Sequence, residues 1–160
     1  MSNFRRSWSK TGARATLSQK QAFSNSYLFS AIAPKTGDDF HFLGFADMNT
    51  EAEKIFLTEL KKKHPDRHVA VVIDNAPCHR PKILHSIPGL TLVYLPSYSP
   101  ELNPVERYFE ELRRATANEM FTTMKYLEQR LTDAINLWTR KDLKQLCGYE
   151  WILKQVGEVS

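Results

Sequence analysis

The chain has 160 residues, of which 42% are hydrophobic, 11% aromatic and 25% charged, with a formal net charge of +4. These values exclude a disordered chain, a collagen-like repeat and a coiled coil. They predict one domain over residues 1–160, able to bury ~70% of its unfolded surface. Ser26 to Ala33 is an aromatic and apolar run ended by the turn signal Pro34-Lys35-Thr36-Gly37, and Asp39 to Ala46 is a second run after it; together they predict an antiparallel hairpin. Asn49 and Thr50 open a helix. Thr50 with Glu53 has capping-box spacing, Ala52, Ile55, Phe56, Leu57 and Leu60 follow at helical intervals, and Lys61 to Lys63 with Pro65 end it.

His68 to Ile73 is a short β-branched run, the pattern of a strand buried on both faces. A short helical stretch around Lys82 to Ser86 precedes a further strand, Leu90 to Leu95, and a loop from Pro96 to Pro104 with three prolines. Asn103 can cap the next helix with Pro104 at its first position, and Val105, Phe109 and Leu112 line one face toward Asn118. Leu127, Leu131, Ile135 and Trp138 form a core stripe on a helix over about Met124 to Thr139, and a weakly signalled helix runs to about Gln155. Strands, a helix, two more strands and terminal helices describe an α/β sheet layered by helices. In such sheets ligands bind at the carboxyl ends of strands, where Asp74 stands.

Charge is distributed unevenly. Residues 1–37 carry Arg5, Arg6, Lys10, Arg14, Lys20 and Lys35 and no acid, whereas the remainder holds 16 basic and 18 acidic residues. A basic end suits a phosphate backbone, although a solvated face has the same composition. Cys78 and Cys147 are widely separated and read as buried thiols rather than a disulfide or zinc site. His64 and His68 have i, i+4 spacing, but Pro65 lies between them, which disfavours zinc. No apolar run is long enough for a membrane span and Met1 to Lys10 lacks a signal-peptide core. A cytoplasmic protein with no membrane partner is expected.

Asp74-Asn75-Ala76-Pro77-Cys78-His79 places a carboxylate, an amide and an imidazole on one tight loop, a constellation that serves equally as an Asx-turn. Glu106 follows in Tyr98-Ser99-Pro100-Glu101-Leu102-Asn103-Pro104-Val105-Glu106-Arg107. Its spacing from Asn103 is that of a capping box, so its carboxylate either satisfies its own helix or points back at the sheet edge. Two separated carboxylates converging there supply the hard oxygen ligands that divalent cations prefer.

Asp74-Asn75 with His79, followed by Tyr94-Leu95-Pro96-Ser97-Tyr98-Ser99-Pro100-Glu101-Leu102-Asn103-Pro104-Val105-Glu106-Arg107, closely resembles the DDE transposases of bacterial insertion sequences related to mariner elements. Arg6-x-Trp8-x-x-x-Gly12, Ser30-Ala31-Ile32 and Thr36-Gly37 agree with the same group, so the resemblance covers nearly the whole chain. It implies an RNase H-like (integrase-like) mixed sheet with flanking helices, Mg²⁺ or Mn²⁺ dependence, and DNA cleavage and strand transfer. It makes Asp74 and Glu106 the second and third acidic residues of the catalytic, metal-binding triad. By the same resemblance, Asn75 and His79 support the loop or the DNA backbone, and Arg5, Arg6, Lys10 and Arg14 lie on a DNA track.

The first acidic residue of that group lies on a strand shortly before the Arg-x-Trp segment, and only Met1 to Arg5 precede Arg6 here. Asp38, Asp39 and Asp47 are poor substitutes by position. The expectation is therefore a partial catalytic domain lacking its first central strand and the N-terminal helix-turn-helix domains. Its sheet edges would be open, and its two-metal site would be whole only in the complete enzyme. Double-stranded DNA, at element ends and target, is the expected partner, with an N-terminal transposase segment or a second copy filling the gap. The alternative is a catalytically inactive remnant that binds DNA or a transposase partner; an unrelated RNase H-fold nuclease fits the Ser99 to Glu106 segment less well.

Overall fold

The structure is a computed structural model, and it describes residues 26–45, 48–75 and 82–158. Strands β1 (Tyr27–Ile32) and β2 (Asp39–Phe45) form an antiparallel hairpin, with Ser30 opposite His41 and Ala31 opposite Phe40. Gly37 makes the turn possible. Its φ of +75° is in the left-handed region, and a Cβ there would collide with the Arg140 carbonyl of a later helix. Helix α1 (Thr50–Lys63) follows, capped by Asn49, whose side chain accepts from the Ala52 N–H at 2.9 Å. The cap is thus Asn49 rather than Thr50: Asn49 holds the extended backbone a cap requires, and Glu53 is buried at 4% exposure. At the other end the Lys61 ammonium donates to the carbonyls of His64, Pro65 and Arg67, all within 3.0 Å, fixing the chain as it leaves the helix.

Strands β3 (Val69–Ile73) and β4 (Leu90–Tyr94) pair in parallel, Val69 with Leu90 through Ile73 with Tyr94. Among the described residues no strand joins this pair to the hairpin. The two sheets meet through side chains on α1. Phe56 touches Phe29 and Phe40 with ring centroids 5.5 Å away in each case. The same core takes Leu57, Leu84, Ile87, Leu90 and Leu92, with Val71, Ile73 and Tyr94 at its margin.

Alternation along the hairpin gives it two covered faces. Phe29 and Ala31 turn toward α1, whereas Leu28 and Ile32 turn toward a second core built from Tyr108, Leu112, Ala134 and Leu143. That core belongs to helices α2 (Val105–Ala115), α3 (Met124–Asn136) and α4 (Arg140–Cys147); after a break at Gly148, α5 (Glu150–Glu158) follows. The parallel pair is covered differently. Val72 and Val93 are register partners, and both are exposed at 45% and 44%. The expectation that β3 is buried on both faces is corrected here: a continuous apolar run does not reveal that α1 covers only the Val71 and Ile73 side.

Three further expectations shift by a residue or an element. The helix expected from Asn103 begins at Val105 with Pro104 as its cap residue. Tyr108, absent from the expected apolar face, is fully buried. The helix expected to end at about Gln155 is two helices, α4 and α5. No described helix is long and apolar enough to cross a membrane.

Candidate catalytic edge

The candidate site is assembled where the parallel strands end. The Leu95 N–H donates to the Ile73 carbonyl at 2.8 Å, extending the ladder one step beyond β4 and holding Asp74 at the carboxyl edge, exposed to solvent. Asn75 then reaches across: its side-chain amide donates to the Ser97 hydroxyl at 3.2 Å. That bond ties the loop after β3 to the loop after β4, which leads to Glu106.

The second loop is stiff for identifiable reasons. Tyr98 takes a φ of +62°, a left-handed conformation that turns the chain, and Pro100–Leu102 forms one 3-10 turn. The Asn103 N–H donates to the Pro100 carbonyl at 2.9 Å, while the Asn103 side-chain oxygen accepts from the Val105 N–H at 3.3 Å. A reciprocal capping box would need the Asn103 N–H for the Glu106 carboxylate, and that N–H is already used. The Glu106 carboxylate instead lies 4.0 Å from the Arg113 guanidinium, with its side chain 42% exposed. A long, solvated pair of this kind contributes little and can be exchanged for another cation.

The first turn of α2 is held from two sides. On one side, the buried Tyr108 ring stacks on His41 at 5.3 Å and meets Trp138 edge-on at 5.8 Å. His41 is itself fixed by Ser30 at 2.9 Å and by Asp39 at 2.8 Å. Burial lowers the His41 pKa, outweighing the neighbouring Asp39 carboxylate, which acts to raise it. Burial likewise raises the pKa of the Tyr108 phenol. On the other side, the Cys147 thiol donates to the Pro104 carbonyl at 3.6 Å, and burial pushes that thiol up to about 11. Next to it the Arg107 guanidinium sits 4.7 Å from the centre of the Tyr149 ring. His41, Tyr149 and their contacts were missed by sequence reading, because pairs this far apart in the chain leave no local spacing signal.

The other acids near the hairpin are committed elsewhere. Asp38 pairs with Arg140 at 2.9 Å and Asp39 with His41. Among the described residues no group of three or more His, Cys, Asp or Glu side chains is gathered for a metal ion. Two carboxylates are nevertheless a suitable donor set for Mg²⁺ or Mn²⁺, which bind through one or two carboxylates and complete their shells with water and phosphate oxygens. His79, Arg5, Arg6, Lys10 and Arg14 lie outside the described residues, as does Cys78.

With this geometry in place, three similarities locate the chain. The sequence profile of the DDE superfamily endonuclease family matches residues 1–128. "Uncharacterized protein y4pE/y4sA" of Sinorhizobium fredii (strain NBRC 101917 / NGR234) is 34% identical over 134 residues, 82% of this chain and 92% of the relative. The Mos1 transposase, in a paired-end complex with the left transposon end, superposes with a TM-score of 0.68 at 17% identity. That superposition covers 89% of this chain and 46% of the transposase, so the chain spans about half its length. The shared fold is RNase H-like, as the sequence predicts. A match over four-fifths of the chain, together with a one-third-identical relative of nearly the same length, makes this protein a member of the DDE superfamily endonuclease family.

Proposed function

We propose that the chain, as a single domain over residues 1–160, is the catalytic part of a DNA transposase of the bacterial insertion-sequence type. Asp74 and Glu106 are its cation ligands. The observation that carries the reading is the state of Glu106: the Asn103 N–H that a capping box would offer it is taken by the Pro100 carbonyl, and its carboxylate is left at a solvated helix start. Asp74 supports it from the carboxyl edge of the parallel strands. Held by Asp74 and Glu106, Mg²⁺ or Mn²⁺ would lower the pKa of a water and neutralise charge on a scissile phosphate. The chain's own residues do the rest: Asn75 fixes the loop carrying Asp74, and the stiff loop before Asn103 sets where Glu106 begins.

The partner is double-stranded DNA, the element ends and target, in the bacterial cytoplasm. Support for DNA comes from the +6 balance of residues 1–37 and from a fold shared with a transposase in complex with a transposon end. Arg5, Arg6, Lys10 and Arg14 contact phosphates in this reading, and Asn75 and His79 support the loop or the DNA backbone. A second reading, DNA binding without cleavage, is favoured by the absence of a gathered ligand trio among the described residues.

Plasmid nicking separates the two. Incubating supercoiled DNA with the chain and Mn²⁺, alone and with an added N-terminal transposase segment, is expected to give open circles that Asp74→Asn and Glu106→Gln each abolish. Retention on DNA without nicking in either condition would establish the binding-only reading.

A further inference from the structure

The junction between α4 and α5 carries an aromatic pair, Tyr149 half-buried and Trp151 exposed, that the core does not explain. Tyr149 and Trp151 hold their rings within 3° of parallel, with centroids 6.3 Å apart. Trp151 is 42% exposed, and the buried anchor of α5 is its neighbour Ile152, at 7%. Arg107 covers the Tyr149 ring and, among the described residues, makes no salt bridge, so it keeps a positive charge for an outside anion. The Tyr149 hydroxyl is buried without a hydrogen-bond partner among the described residues, which pure packing would have answered with Phe. The Cys147 to Pro104 contact sets this group beside the first turn of α2, the turn that bears Glu106.

We propose that Arg107, Tyr149 and Trp151 form a stacking platform for an unpaired nucleobase of the DNA strand next to the candidate catalytic edge. The inference rests on the reading that the chain acts on DNA, and it adds a recognition element. Aromatic faces stack on any base, but only where the base is not already stacked and paired within a duplex. A cation on the same shelf takes the adjoining phosphate. The occupant is therefore a frayed or single-stranded nucleotide, such as the end left when a phosphodiester beside Glu106 is cut.

The test uses fluorescence anisotropy of the full chain with two labelled DNAs, a blunt duplex and the same duplex with a three-nucleotide overhang. Trp151→Ala, an exposed substitution, is expected to weaken overhang binding about tenfold while leaving the blunt duplex unchanged, and Trp151→Phe to restore most of it. Arg107→Gln is expected to reduce the salt dependence of overhang binding by about one phosphate contact. Equal effects of Trp151→Ala on both DNAs, or none on either, would overturn the platform while leaving the DNA reading intact. Failure of the wild-type chain to bind either DNA would sink the DNA reading itself.

Discussion

The side-chain amide of Asn75 donates to the hydroxyl of Ser97 at 3.2 Å, joining the residue after Asp74 to the loop that leads to Glu106. Two loops that belong to different strands are thereby held in one register at the edge of the parallel pair. Because the bond is near the surface, its worth is at the low end for a hydrogen bond, about 0.5 kcal/mol. Asn75→Ala and Ser97→Ala are each expected to lower stability slightly, and the double variant to cost no more than the larger single one. Urea denaturation of the four proteins measures this; simple additivity would show that the two side chains do not act on each other.

Tyr149→Phe is expected to stabilise the protein by about 1 kcal/mol, because it removes a buried hydroxyl that lacks a partner and keeps the ring under Arg107. Tyr149→Ala removes the ring as well and is expected to destabilise. Thermal unfolding of both variants decides; a Phe variant less stable than wild type would mean that the hydroxyl is satisfied.

His41 titrates below its ordinary value of 6.5, chiefly because burial disfavours its charged form. The unfolded chain then takes up the proton first, so stability is full above about pH 6.5 and is lost as pH falls from there through the folded-state pKa. His41→Gln is expected to flatten that slope. Denaturation midpoints at about pH 5 and about pH 7.5 provide the check: the same acid-side loss in His41→Gln would assign it to other groups.

Cys147 is fully buried and its thiol is pushed up to about 11, which leaves on the order of one thiolate in a thousand at about pH 8. Alkylation of the folded protein, mapped by mass spectrometry, is expected to spare Cys147, and to reach it only in denaturant. Labelling of Cys147 under native conditions would show that the α4 end opens away from Pro104.

The elements legible in the sequence are those whose signal is local. The hairpin is written in its alternation and in the Gly37 turn, and the end of α1 in three lysines followed by Pro65. Asn49 and Thr50 differ by one residue as caps because both types serve, and only the backbone of Asn49 is extended. Tyr108 was missed because an aromatic with a hydroxyl reads as amphipathic, yet His41 across the hairpin gives that ring its place. The one-sided cover of β3 and the break at Gly148 were missed for another reason. The first depends on which distant element lies alongside; the second is part local, since a Cβ at Gly148 would press on the Lys144 carbonyl of α4 as well as on the Pro34 carbonyl at 2.8 Å, far back in the chain. Within the candidate site, Asp74 and Glu106 stood out by motif, whereas the choice between helix cap and free carboxylate needed the Asn103 N–H to be seen occupied by Pro100.

The proposed sharing of a divalent cation by Asp74 and Glu106 is tested by Mn²⁺ binding followed by electron paramagnetic resonance. A titration of the full chain in the presence of duplex DNA is expected to show a bound-ion population that Asp74→Asn and Glu106→Gln each reduce at least tenfold, with no further loss in the double variant. Binding that both single variants leave unchanged, with the fold intact by circular dichroism, would contradict the account.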